Sequence, residues 1–118
     1  MMIGLDRLME IEGVVGAGQF SKDGKVIRKV GELPEDMLTS AELCVWQDKA
    51  SREFLKFLDA KSEREWLPLF GWVVWGAKYS VVVVGNTRVF VETVRGDYNQ
   101  LMVDLMGSDS TGPRVLNY

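Results

Sequence analysis

The spacing of apolar residues predicts a helix and then a hairpin at the start of the chain. Apolar residues at helical spacing over residues 5–12 precede Gly13, where we expect the helix to end. The period then changes to two, and residues 14–20 and 26–30 are typical of strands. The loop between them contains Asp23-Gly24, a strong hairpin signal.

A long helix is predicted over residues 34–60, with Pro34 in its first turn. We expect one stripe at helical spacing to face the core; it consists of Leu43, Trp46, Ala50, Phe54 and Phe57. The first half of the helix is apolar on its other side as well, at Met37, Leu38, Ala41, Cys44 and Val45. Because a surface helix of a monomer has one apolar stripe, this half should be covered from two sides.

Three more strands are predicted over residues 69–75, 79–84 and 87–94. The four consecutive valines at residues 81–84 are apolar on both faces, so we expect a central strand covered on each side. Polar residues in the last strand, such as Arg88, indicate partial exposure.

A short final helix should begin after Asp97, since Asp97 and Gln100 have capping-box spacing, and should end at Gly107. The element order is therefore α-β-β-α-β-β-β-α. This order predicts an α+β fold with a single five-stranded, mostly antiparallel sheet and covering helices. We expect one domain over residues 1–107 and a flexible tail over residues 108–118.

Charge and composition exclude several functional classes. The 118 residues carry 14 Lys+Arg and 17 Asp+Glu, a net charge of −3, so we expect neither a nucleic-acid partner nor an anionic membrane. Four cations lie on the first hairpin, at Lys22, Lys25, Arg28 and Lys29. We interpret them as protection of a sheet edge against aggregation rather than as a binding patch.

The residues that most catalytic and metal sites require are missing. The chain has no histidine, which removes the commonest general base and metal ligand. Cys44 is the only cysteine, and we interpret it as a small buried hydrophobe. We therefore expect no catalytic residues, no metal, no cofactor and no enzymatic activity. Without a signal peptide or an apolar stretch of spanning length, the expected location is the cytoplasm.

Four tryptophans are many for so short a chain. Trp72 and Trp75 should point to opposite faces of a strand because they are three residues apart. One can enter the core, and the other then faces a covering helix, a ligand or a partner. We favour an interface, since aromatic residues are enriched at interface centres; internal packing and a small-ligand pocket are the alternatives.

The opening of the chain resembles that of the roadblock (dynein light-chain type) domain. The resemblance lies in Leu5-x-x-Leu8-x-x-Ile11-x-Gly13-Val14-x-Gly16-Ala17, then Asp23-Gly24, and later in residues 96–101. It implies a roadblock/profilin-like fold without catalysis that dimerises through the long helix and the middle strand. Such domains scaffold small GTPases or motor complexes. More narrowly, the chain is similar to a prokaryotic roadblock-like family of uncharacterised proteins, some of which are associated with heterodisulfide-reductase-like sulfur-oxidation gene clusters.

The leading hypothesis is a homodimeric scaffold or regulatory subunit of a cytoplasmic complex that binds a further protein. Its predicted dimer interface comprises Met37, Leu38, Ala41, Cys44, Val45, Trp72 and Trp75. One alternative is a small-ligand sensor that holds its ligand between sheet and helix. Another is an accessory component of a sulfur-oxidation complex, acting through Cys44.

Overall fold

Five strands and three helices make up the part of the chain that our computed structural model describes, residues 4–32 and 41–107. Their order is that predicted from the sequence. The elements are α1 (Leu5–Leu8), β1 (Val14–Phe20), β2 (Val26–Gly31), α2 (Ala41–Lys61), β3 (Gly71–Trp75), β4 (Tyr79–Val84), β5 (Thr87–Glu92) and α3 (Tyr98–Met106). Three elements are shorter than predicted: α1 ends in turns after Leu8, β3 begins at Gly71 and β5 ends at Glu92.

The strands form one antiparallel sheet in the order β2-β1-β5-β4-β3. The β1–β2 and β4–β5 pairs are hairpins, and Gly24 and Gly85 supply the positive φ angles of their turns. The β3–β4 pair continues the sheet to its other edge, with Val73 opposite Val82. This arrangement confirms the predicted α+β fold and makes β5 the central strand.

The apolar core lies between one face of the sheet and the two short helices, α1 and α3. Alternate residues of β4 and β5 point to this face because side chains alternate along a strand. The buried residues of the core are Leu5, Leu8, Ile11, Ala17, Val82, Val89, Val91 and Leu101. The other face of the sheet lies toward α2, where Trp72 of β3 meets Asp48.

Asp97 caps α3 as its spacing with Gln100 predicted. Asp97 Oδ1 accepts a hydrogen bond from the Gln100 backbone N–H at 3.1 Å. The Gln100 side chain donates instead to Asp104, so the return bond of a capping box is not made. Gly107, at φ 86°, follows the last helical residue. The predicted tail over residues 108–118 lies outside the described residues.

The predicted core stripe of the long helix is wrong. Leu43, Trp46, Phe54 and Phe57 are all exposed, with 65% of Trp46 and 63% of Phe54 accessible to solvent, and Ala50 is half-buried. The opposite side of α2, which carries Cys44 and Asp48, faces the sheet. Helical spacing identifies a stripe, but it does not say which stripe contacts the sheet.

The expectation that Arg88 marks an exposed strand is also wrong. Arg88 is only 3% exposed. The physical reason is its position in β5, which has neighbours on both sides in the sheet. By contrast, the cations of the first hairpin are exposed and β2 is an edge strand, as expected.

We predict that Gly13→Ala destabilises the fold by about 2 kcal/mol or more. Gly13 has φ +87°, and a Cβ there would lie 2.5 Å from Gly96 Cα. Gly4→Ala is the matched control, because a Cβ at Gly4 would have no atom within 4 Å of it. Urea unfolding of both variants measures the difference, and equal stabilities would contradict the prediction.

Candidate functional site

An exposed apolar stripe runs along α2 on a side of the helix that does not contact the sheet. It consists of Leu43, Trp46, Phe54 and Phe57, and we call it the apolar stripe. Isolated exposed apolar residues are ordinary, but a contiguous patch that includes three aromatic rings is typical of an interaction surface. The side of the same helix that meets the sheet includes the charged Asp48, while these four large apolar side chains stay exposed.

The two edge strands of the sheet differ in whether they carry features that prevent pairing with another strand. The edge strand β2 presents Arg28 and Lys29, and the β1–β2 pair has a register shift near Phe20. Both features are known to discourage pairing between edges. At the other edge, β3 (Gly-Trp-Val-Val-Trp) pairs with β4 alone among the described strands, contains neither charge nor proline, and exposes Val73, Val74 and Trp75. The β3 edge is therefore suited to pairing with another strand.

Trp72 and Trp75 lie on opposite faces of β3, as their spacing predicted. The Trp72 indole N–H donates a hydrogen bond to Asp48 Oδ1 on α2. The Trp75 ring packs edge-on against Tyr98 of α3, with 4.7 Å between ring centroids and an interplanar angle of 70°. Trp72 is half-buried, whereas Trp75 is 61% exposed despite this contact.

The structure describes only some of the other residues of the predicted interface. Met37 and Leu38 lie outside the described residues, as does the side chain of Ala41. Cys44 and Val45 are half-buried on α2. The interface assignment of all seven residues stays a prediction, and the sequence reasoning missed the apolar stripe because it placed that stripe in the core.

A cavity of about 170 Å³ opens near the tips of the two hairpins, beside α2. Its walls combine apolar, cationic, anionic and amide groups. The lining residues are Phe20, Ser21, Lys22, Ile27, Asp48, Asn86 and Arg88.

Arg88 is the most unusual group in this cavity. Its guanidinium carbon lies 4.3 Å from the centre of the Phe20 ring. Its Nε and Nη1 are buried and have no hydrogen-bond partner, and no carboxylate of the described residues forms an ion pair with it. Burying an unpaired charge costs several kcal/mol, whereas a desolvated cation–π contact returns about 2 kcal/mol. The carboxylate of Asp48 is near enough to interact with this charge, although the two do not form a close ion pair.

Asp48 is the second buried charge, at 7% exposed. Burial raises the pKa of its carboxyl group, while the Trp72 hydrogen bond and the positive charges of Arg88 and Arg52 act in the opposite direction. Burial likewise raises the pKa of the neighbouring Cys44 thiol. At neutral pH Cys44 is therefore protonated and a poor nucleophile.

The sequence reasoning missed Arg88 and Asp48, although a weak signal exists for each. Arg88 is two residues from Phe90, and residues two apart in a strand share a face; both are buried. Asp48 lies one helical turn after Cys44 and so shares its side of α2. Their burial becomes clear only from the folded chain, in which β5 is the central strand and the Asp48 side of α2 faces the sheet.

Two kinds of site are not found in the described residues. No three His, Cys, Asp or Glu side chains in residues 4–32 and 41–107 come together as metal ligands would. Over the same ranges, no helix combines the length and apolarity needed to cross a bilayer.

Comparison of the sequence with family models matches residues 4–107 to the family described as "Uncharacterized conserved protein (DUF2173)". The chain belongs to the DUF2173 family. No curated protein sequence matches it.

The fold of this DUF2173 protein is that of roadblock domains, which confirms the resemblance seen in the sequence. It is similar to a Roadblock/LC7 domain from Streptomyces avermitilis, with a TM-score of 0.63 and 17% identity over 82% of this chain and 80% of that one. It is also similar to MglB in a tetrameric arrangement, with a TM-score of 0.67 and 16% identity over 85% and 75% of the chains. The gliding protein MglB from Thermus thermophilus gives a TM-score of 0.67 and 16% identity over 85% and 76%.

We predict that Asp48→Asn changes how stability depends on pH. Because the folded-state pKa of Asp48 is raised, its contribution favours folding most below the unfolded pKa and is lost as pH rises through the folded pKa. Asparagine can still accept the Trp72 hydrogen bond but does not titrate. Between about pH 3 and pH 7, wild type should therefore lose stability relative to Asp48→Asn.

Urea unfolding at a series of pH values and one protein concentration measures this difference. Asp59→Asn is the matched control on the same helix, since Asp59 is exposed and lies outside the cavity lining. A constant difference between wild type and Asp48→Asn across the pH range would contradict the prediction.

Proposed function

We propose that the protein is a non-catalytic homodimeric scaffold or regulatory subunit of a cytoplasmic complex. The observation that supports this proposal best is the apolar stripe of α2 beside the unprotected β3 edge. Both features leave apolar groups or unpaired backbone in contact with water in a single copy.

A second copy can pair with the β3 edge and place its own α2 beside the apolar stripe. Trp72 of β3 is hydrogen-bonded to Asp48 of α2, so the helix lies over the edge strand. If two β3 edges pair antiparallel about a twofold axis, the two α2 helices come side by side above the joined sheet. Such a contact is isologous, because each copy offers the same surface.

The exposed area is of the order that a stable dimer needs. At roughly 200 Å² for an aromatic side chain, the exposed parts of the apolar stripe and Trp75 amount to about 600 Å² per subunit. A standard interface buries about 800 Å² per partner. Strand pairing at the β3 edge would add backbone hydrogen bonds to this apolar contact.

The residue types of the chain and the state of its cysteine support the proposed lack of catalysis. The chain has no histidine, and burial keeps the Cys44 thiol protonated, as its raised pKa indicates. That protonation also disfavours the alternative of a sulfur-oxidation component acting through Cys44. The cavity beside α2 favours the sensor alternative, although Trp72 and Trp75 are not among its lining residues.

We predict that Phe54→Glu converts a dimer into a monomer. A glutamate in the centre of the apolar stripe would be buried without a partner in both copies, and the dissociation constant should rise at least tenfold, since each such charge costs several kcal/mol. Sedimentation equilibrium or light scattering at about 10–50 μM measures the mass.

Val103→Glu is the matched control, because it places the same charge at an exposed apolar position of α3, which packs on the core face of the sheet and not on the face toward α2. We expect this variant to remain dimeric. A wild-type protein that is monomeric at these concentrations would contradict the proposal, as would a dimer that Phe54→Glu leaves intact.

A further inference from the structure

The cavity beside α2 has the chemistry of a binding site, independent of whether the protein dimerises. It is lined by seven side chains from β1, the first hairpin loop, β2, α2, the β4–β5 turn and β5. Elements far apart in sequence thus contribute to one concave surface. None of the four residues of the apolar stripe lines it.

Arg88 makes this cavity specific for negative charge. Arg88 lines the cavity and is only 3% exposed. Its Nε and Nη1 have no hydrogen-bond partner in the described structure but are also closed to solvent, so Arg88 acts on the cavity through its positive charge. The Phe20 ring covers the guanidinium and limits its movement. Lys22 adds a second positive charge to the wall. A carboxylate matches this setting because the charge of Arg88 attracts it and its oxygens can accept hydrogen bonds from the Lys22 ammonium.

Asp48 restricts which anion fits. It is the acidic residue among the lining residues, and one of its oxygens accepts from the Trp72 indole N–H. A carboxylate has about four acceptor positions, so Asp48 can accept a further hydrogen bond from a ligand. A ligand that carries only acceptors would face repulsion there, whereas a hydroxyl or ammonium group would be attracted.

The size of the cavity sets the scale of the ligand. A volume of about 170 Å³ is many times the roughly 10–15 Å³ that one water needs. The cavity therefore has room for a small molecule and not only for a single ion or water. The rings and methyl groups of Phe20 and Ile27 offer an apolar wall for its short carbon chain.

We propose that the cavity binds a small hydroxy- or amino-carboxylate. The ligand's carboxylate lies toward Arg88 and Lys22, and its hydroxyl or ammonium group donates to Asp48. Asn86, at the β4–β5 turn, completes the polar wall with an amide that can donate or accept.

Titration of the ¹⁵N-labelled full chain followed by NMR tests this proposal. The probes are L-lactate, L-alanine and propionate, with sodium chloride at equal ionic strength as the reference. We expect lactate and alanine to give saturable shifts confined to the amides of residues 20–22, 27 and 86–88 and the Trp72 indole. Propionate, which lacks the donor group, should bind at least threefold more weakly.

Substitutions then connect binding to the named side chains. Arg88→Met should weaken lactate binding at least tenfold, whereas Arg28→Met, an exposed arginine of β2 outside the cavity, should leave binding unchanged. If Arg88→Met does not fold, two exposed residues of the cavity wall replace it in the test. Lys22→Met and Asn86→Ala should each weaken lactate binding about threefold or more.

Three results would overturn the proposal. The first is that chloride reproduces the shifts, which would make them an ionic-strength effect. The second is equal affinity for propionate and lactate, which would remove the role of Asp48 and with it the ligand class. The third is that the Lys22 and Asn86 variants bind lactate as wild type does.

Discussion

The contact between Trp72 and Asp48 determines how the long helix sits on the sheet. An indole N–H and a buried carboxylate meet where α2 crosses β3. A helix that presents an acidic residue to its own sheet cannot also bury its most apolar stripe there, since the two lie on different sides. The stripe with Trp46 and Phe54 is consequently left in water. Both candidate surfaces of the molecule follow from this orientation.

The same contact joins two regions that otherwise share no residue. Asp48 is part of the cavity wall, and through Trp72 it is connected to the edge strand. Asp48 thus has one hydrogen bond to the edge strand and a place in the cavity wall, and α2 is the element that carries it.

The sequence predicted the fold well and the buried polar groups poorly. Strand alternation, Asp23-Gly24 and the spacing of Asp97 with Gln100 are local signals, and all three correspond to observed elements. The side of α2 that faces the sheet is not a local property. It depends on Trp72, 24 residues away in the chain. Arg88 was misjudged for a similar reason, because the central position of β5 arises from pairing with β1 across most of the chain.

A buried arginine in the central strand is the feature least explained by folding alone. Apolar residues occupy the equivalent inward positions of the neighbouring strand, such as Val83, which is opposite Arg88 in the β4–β5 register. A valine or methionine at residue 88 would avoid the desolvation of a charge whose donors are incompletely satisfied. The Phe20 ring and the Asp48 carboxylate, which the Arg88 charge attracts, compensate for part of that charge. A ligand carboxylate in the cavity, as proposed above, would supply a further negative charge beside the guanidinium, which gives a reason for an arginine at a position where folding stability favours an apolar side chain.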